Sequence, residues 1–100
     1  MPKKYQVEIT QKAEDDLEAI WQYIAKNNPI NADRLVSRLE IQTTTLESFP
    51  KRGVLIPENN IFGTDYRQLI HKDYRTIYKI SGSKVFVMRV VHGSRLLKVC

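Results

Sequence analysis

Tyr5, Val7 and Ile9 alternate with Gln6 and Glu8, a period of two that predicts a short strand near the start of the chain. The period then changes. Thr10 stands where its hydroxyl can accept an orphan backbone N–H, and Ala13, Leu17, Ile20 and Ile24 follow at helical spacing, with Trp21 at the edge of the stripe. Glu14, Asp15 and Asp16 fall in the first turn, where the positive end of the helix dipole favours acids, so they read as a solvated helix start rather than as catalytic carboxylates. Asn27-Asn28-Pro29 ends this helix and begins another, because Asn caps well and Pro tolerates the first helical position. Ala32, Leu35, Leu39, Leu46 and Phe49 form a second stripe flanked by Val36 and Ile41, closed by Pro50 and Gly53. Two helices joined so tightly predict an antiparallel hairpin with both stripes facing one sheet.

Residues 51–65 show no period and hold Gly53, Pro57, Asn59, Asn60 and Gly63, which predicts a connecting loop. Beyond it the period of two returns. Residues 66–70 and 74–80 flank the turn His71-Lys72-Asp73, and Ser81-Gly82-Ser83 leads into a third run, 84–91. Short connections make these strands antiparallel neighbours. In the third run Val85, Val87 and Val91 lie on one side and Phe86, Met88 and Val90 on the other, so that strand is expected in the centre of the sheet. The predicted fold is α+β, a two-layer β-α-α-β-β-β arrangement with the N-terminal helical hairpin packed on a small antiparallel sheet.

With 100 residues, 42% hydrophobic and 27% charged, the chain is expected to be one soluble globular domain over 1–100. Its lone cysteine, Cys100, excludes an internal disulfide and fits a reducing compartment. The opening MPKKYQVEIT lacks the apolar stretch of a signal peptide and no run reaches membrane-spanning length, so the expected location is cytoplasmic, with no membrane partner. Charge is distributed unevenly. From Tyr66 onward eight Lys/Arg stand against one acid, Asp73, whereas the first 65 residues hold eight Lys/Arg against ten Asp/Glu. A basic region with strand periodicity predicts a rigid cationic surface with an anionic partner.

Alternation assigns the candidates. Arg67 shares a strand face with Leu69, Arg75 with Ile77 and Lys79, and Arg89 with Val85 and Val87. If the registers align, Arg67, Arg75 and Arg89 line up on the sheet face that the helices leave open. His92-Gly93-Ser94-Arg95 closes the last strand, and a His beside an Arg offers a general acid/base next to a phosphate clamp; the plainer reading is a turn in which His92 packs. Two distant histidines and a terminal cysteine have no metal-site spacing, and neither a Gly-rich phosphate loop nor a nucleophile motif is present, so no metal or cofactor is expected.

The stretches AEDDLEAIWQYIA (Ala13–Ala25), NPINADRLVSRL (Asn28–Leu39), FPKRG (Phe49–Gly53), YRTIYKI (Tyr74–Ile80) and VMRVVHGSR (Val87–Arg95), in this order and spacing, resemble the RelE/ParE superfamily of bacterial toxin–antitoxin toxins over essentially the whole chain. The resemblance implies the same fold, a helical hairpin on a small sheet. It implies one of two functions. RelE-like members are ribosome-dependent mRNA endonucleases with basic residues on the sheet and a C-terminal Tyr or His. This chain matches that pattern at Arg67 and Arg75, more loosely at Arg95, and offers His92. It departs from it at Leu69, where a second basic residue is expected, and in having no aromatic residue after Phe86. ParE-like members bind DNA gyrase and stabilise its cleaved-DNA complex without chemistry of their own. The helical hairpin and the terminal His-Gly-Ser-Arg favour the ParE branch. Either branch implies a cognate antitoxin whose acidic or amphipathic tail wraps the toxin. On that reading Arg67, Arg75, Lys79, Arg89, His92 and Arg95 are target- or antitoxin-binding residues, and DNA gyrase, or alternatively the ribosome and mRNA, is the target.

Overall fold

The computed structural model describes residues 4–93. Strand β1 (Gln6–Ile9) runs into helix α1 (Gln11–Ala25), followed by α2 (Pro29–Thr44) and a 3₁₀ turn at Thr45–Glu47. Then come β2 (Val54–Leu55), a one-turn helix α3 (Asn59–Phe62), and strands β3 (Arg67–His71), β4 (Tyr74–Ser81) and β5 (Lys84–His92). Both helix starts follow the sequence. The Ala13 N–H meets the Thr10 hydroxyl oxygen at 3.3 Å, and the Asn31 N–H meets Asn28 Oδ1 at 3.1 Å ahead of Pro29. Thr10 also ties α1 to the sheet, because its hydroxyl donates to the Val87 carbonyl at 2.8 Å.

The strand order is β1-β5-β4-β3-β2. β5 is an interior strand paired on both sides, by β1 and β4, which suits its two apolar faces, but the middle of the sheet, its expected place, belongs to β4. The sheet is mixed rather than wholly antiparallel: β1 lies parallel to β5, with Val7 opposite Val85 and Ile9 opposite Val87. The strands β2 to β5 pair antiparallel. The long excursion through the helical hairpin brings β1 alongside β5 in the same direction, which a two-residue hairpin cannot do.

On the helix side, Ala13, Leu17, Leu39, Leu46, Leu69, Val85, Val87 and Val90 pack around Tyr78. Tyr78 is fully buried, and its phenol is satisfied at both ends: it donates to the Pro50 carbonyl at 2.7 Å and accepts the Gly53 N–H at 3.0 Å. Glycine is required at 53, since an added Cβ would stand 2.6 Å from both the Gln68 carbonyl and the Tyr78 hydroxyl. Phe49, expected in the second stripe, is instead 67% exposed because α2 has ended before it.

The connection at 51–65 is not a bare loop. Besides supplying β2 and α3, it folds across the sheet face opposite the helices, where Ile56 and Ile77 are buried together under Phe62, Tyr66 and Val91. Asn59 braces this strap: its Oδ1 accepts from the Tyr66 N–H and the Thr64 hydroxyl, and its Nδ2 donates to the Tyr66 carbonyl. The sheet therefore has apolar packing on both faces at its β3–β4 end.

Candidate binding face

Register decides where the sheet cations go. Arg67 pairs with Tyr78, so it shares the helix-side face with Leu69 and Tyr78. Arg75 pairs with Ile70 and alternates with the buried Thr76, which places it on the strap side with Ile77 and Lys79. A register shift between Ile77 and Tyr78 leaves Met88 without a partner and sets Arg89 opposite Ile77. Arg89 then meets α1 beyond the end of β1. The expected line of Arg67, Arg75 and Arg89 on one open face does not form: alternation puts Arg67 on the opposite face from Arg75, Arg89 is drawn to Asp16 of α1, and the strap covers the face that holds Arg75 and Ile77.

Each of these cations is also engaged. Arg75 is only 6% exposed and Glu58, on the strap, 3%. Their guanidinium and carboxylate meet in a two-pronged pair, both contacts at 2.8 Å, while Arg75 Nε donates to Gln68 Oε1 at 2.6 Å. Two charges withdrawn from water to this extent persist only when paired and hydrogen-bonded so fully. Arg89 makes a second forked pair with Asp16, at 2.7 and 3.1 Å, and the same carboxylate accepts the Val90 N–H at 2.9 Å. Arg67 donates to the Gly53 carbonyl at 2.7 Å, closing the corner between β2 and β3. Lys79 Nζ lies 5.7 Å from the centre of the Phe86 ring, within cation–π range.

His92 is exposed and stands edge-on to Tyr74, with ring centres 5.6 Å apart. Burial raises the Tyr74 phenol above its ordinary value, with Asp73 and Tyr23 adding to the effect. Arg95 and Cys100 lie outside the described residues. Among the described residues no group of His, Cys, Asp and Glu is placed to hold a metal ion, and no helix is long and apolar enough to cross a membrane.

Two partners were hidden in the sequence. Glu58 sits in an aperiodic stretch, where nothing marks it as the counter-ion of Arg75. Asp16 carries helix-start acidity that masks its reach to β5. A different set of cations keeps its charge available. Arg34 and Arg38, four residues apart on one face of α2, and Lys72 at the β3–β4 turn are exposed, and no ion-pair partner holds them among the described residues.

Comparison with known proteins sets this face in a family. The family model described as the ParE toxin of the type II toxin–antitoxin system parDE matches residues 7–97. The chain belongs to the ParE toxin family. Toxin RelE2 of Caulobacter vibrioides is 31% identical over 91 residues, covering 91% of this chain and 98% of that protein. Two solved structures share the fold. The chromosomal ParDE toxin–antitoxin system of P. aeruginosa superposes with a TM-score of 0.71 at 19% identity, covering 91% of this toxin and 98% of that chain. The RelBE2 toxin–antitoxin complex of Mycobacterium tuberculosis gives 0.64 at 22% identity, over 89% and 98%. The toxin's fold is thus shared with structures carrying both branch names.

Proposed function

We propose that this toxin arrests growth by binding DNA gyrase and stabilising its cleaved-DNA complex, and that a cognate antitoxin encoded beside it neutralises it. The observation that carries this reading is the state of Arg75. A nuclease of the RelE-like kind would use Arg67 and Arg75 together against a scissile phosphate, with His92 as acid or base. Here Arg75 is committed to Glu58 on one face of the sheet and Arg67 to backbone carbonyls on the other. Side chains on opposite faces of one sheet do not converge on one phosphate, and general acid–base work begins with geometry. A toxin acting by binding alone has no such requirement. Both structural neighbours come from toxin–antitoxin systems, which supports an antitoxin for this toxin as well.

The test uses purified toxin with gyrase and supercoiled plasmid. Inhibited supercoiling with accumulation of cleaved plasmid is expected. No effect on gyrase, together with A-site mRNA cleavage on translating ribosomes that Arg75→Ala or His92→Ala abolishes, would replace this reading with the nuclease one.

A further inference from the structure

We infer that the corner at residues 49–55 is the element with which this toxin docks on gyrase. Phe49, Val54 and Leu55 would enter an apolar cleft of that enzyme rimmed by carboxylates. This rests on the gyrase reading and names the contact surface that reading requires.

The core holds the corner rigid. The buried Tyr78 phenol bonds the Pro50 carbonyl and the Gly53 N–H together, at 2.7 and 3.0 Å. Arg67 closes the same turn from the side, donating to the Gly53 carbonyl at 2.7 Å and reaching the Lys51 carbonyl at 3.4 Å. Arg52 donates to the Thr45 hydroxyl at 2.6 Å, which ties the turn to the end of the helical hairpin. With Gly53 packed against Gln68 and Tyr78, the turn has no room to shift.

What this rigid corner displays is apolar. Phe49 stands just before the turn, and just after it Val54 and Leu55 are 62% and 57% exposed. Register places Val54 on the strap side with Gln68 and Leu55 on the helix side with Arg67, so the projection is apolar on both sides. β2 is also an edge of the sheet. Edge strands are commonly blunted by charge, and β1 at the other edge follows that rule with Gln6 and with Glu8, which pairs with Lys84 at 3.5 Å. β2 carries no such protection. Large apolar side chains left bare beside one another mark a contact surface.

Charge sets the character of the partner. Residues 48–57 hold Lys51 and Arg52 and no acid. Both cations are exposed, and among the described residues no carboxylate pairs with them. The next acid along the chain, Glu58, is committed to Arg75. An apolar centre with cations beside it fits an apolar cleft with an acidic rim.

Shape selects among partners. A segment that orders on binding lies along a groove, whereas a rigid projection suits a cleft already formed in a folded protein, because neither side then loses much freedom. Two corners meeting across a two-fold axis would set Lys51 and Arg52 of each copy against their like. A nucleic-acid backbone would use the cations and leave Phe49, Val54 and Leu55 bare.

Purified toxin and the variants Phe49→Ser/Leu55→Ser and Lys51→Glu are compared in the gyrase supercoiling assay and in binding to immobilised gyrase. All three positions are exposed, and circular dichroism with urea denaturation checks that each variant folds. The half-inhibitory concentration is expected to rise roughly tenfold to thirtyfold in the double variant, with affinity for gyrase falling in step. Lys51→Glu should weaken inhibition about threefold, an effect that fades at high salt. Should the double variant unfold, Lys51→Glu decides alone. Equal potency of the variants and the unmodified toxin would overturn the corner assignment and leave the gyrase reading standing. No action of the unmodified toxin on gyrase would overturn both. Unchanged gyrase inhibition with loss of antitoxin binding, or with loss of a toxin dimer, would give the corner to that partner and overturn the assignment.

Discussion

The cations of the sheet and those of α2 have the same formal charge and opposite fates. Arg75 and Arg89 lie in the strongly basic part of the chain, yet each is held by a carboxylate from elsewhere, Glu58 on the strap and Asp16 on α1. Arg34 and Arg38 lie in the half with more acids than bases, and they stand exposed on one helix face. Net charge along a sequence therefore does not locate charge that is free to bind. What matters is whether tertiary structure brings a counter-ion within reach, and the ion pairs of Arg75 and Arg89 span 17 and 73 residues.

The sharpest way to break this comparison is to remove a counter-ion. Glu58→Ala leaves Arg75 buried and uncompensated, and chemical denaturation should show a loss of about 3–5 kcal/mol. A change within about 0.5 kcal/mol would place Arg75 among ordinary surface cations. Asp16→Ala removes the anchors of both Arg89 and the Val90 N–H, and should cost about 1–3 kcal/mol in the same experiment. Arg67→Ala frees one carbonyl at the β2–β3 corner and is expected to cost about 1 kcal/mol. At the other end of the scale, Arg34→Ala and Arg38→Ala should each leave stability within about 0.5 kcal/mol. A larger loss would mean that α2 uses these side chains structurally.

Alkaline pH probes the packing beneath the comparison. Burial raises the phenol of Tyr78 above its ordinary value, against the lowering effects of the Gly53 N–H, Arg67 and Arg52; burial raises Tyr74 too. In the unfolded chain both ionise near pH 10, before the folded protein releases their protons. Their contribution is thus fully present below about pH 10 and is lost as pH climbs from there through the raised folded values. Urea midpoints measured across this range should fall, and Tyr78→Phe should flatten the fall while lowering stability at neutral pH.

Much of the architecture was legible because it rests on local signals. The caps at Thr10 and Asn28, the stripe Ala13–Leu17–Ile20, and the doubly apolar run of β5 each carry their own periodicity or side-chain chemistry. The parallel pairing of β1 was not legible, since strand direction depends on a connection of more than seventy residues whose course no local pattern records. Nor was the strap: Ile56 and Phe62 are too few and too irregularly spaced to show a period, and they matter only because Ile77 and Val91 wait beneath them. The site failed where it depended on register. A single bulge opposite Ile77 reset every later residue of β5, so alternation from Val85 could not place Arg89. The pair Arg34 and Arg38 was visible as an i, i+4 repeat, but its meaning required knowing that the sheet arginines were already held.

The most direct test is a nitrogen–proton NMR spectrum of the arginine side chains in the free toxin. The Nε–H groups of Arg75 and Arg89, donating to Gln68 and Asp16, should give separate signals that exchange slowly with water, whereas those of Arg34 and Arg38 should exchange fast and overlap. Rapid exchange at Arg75 and Arg89, alike with the arginines of α2, would contradict the claim that the sheet cations are committed to the fold.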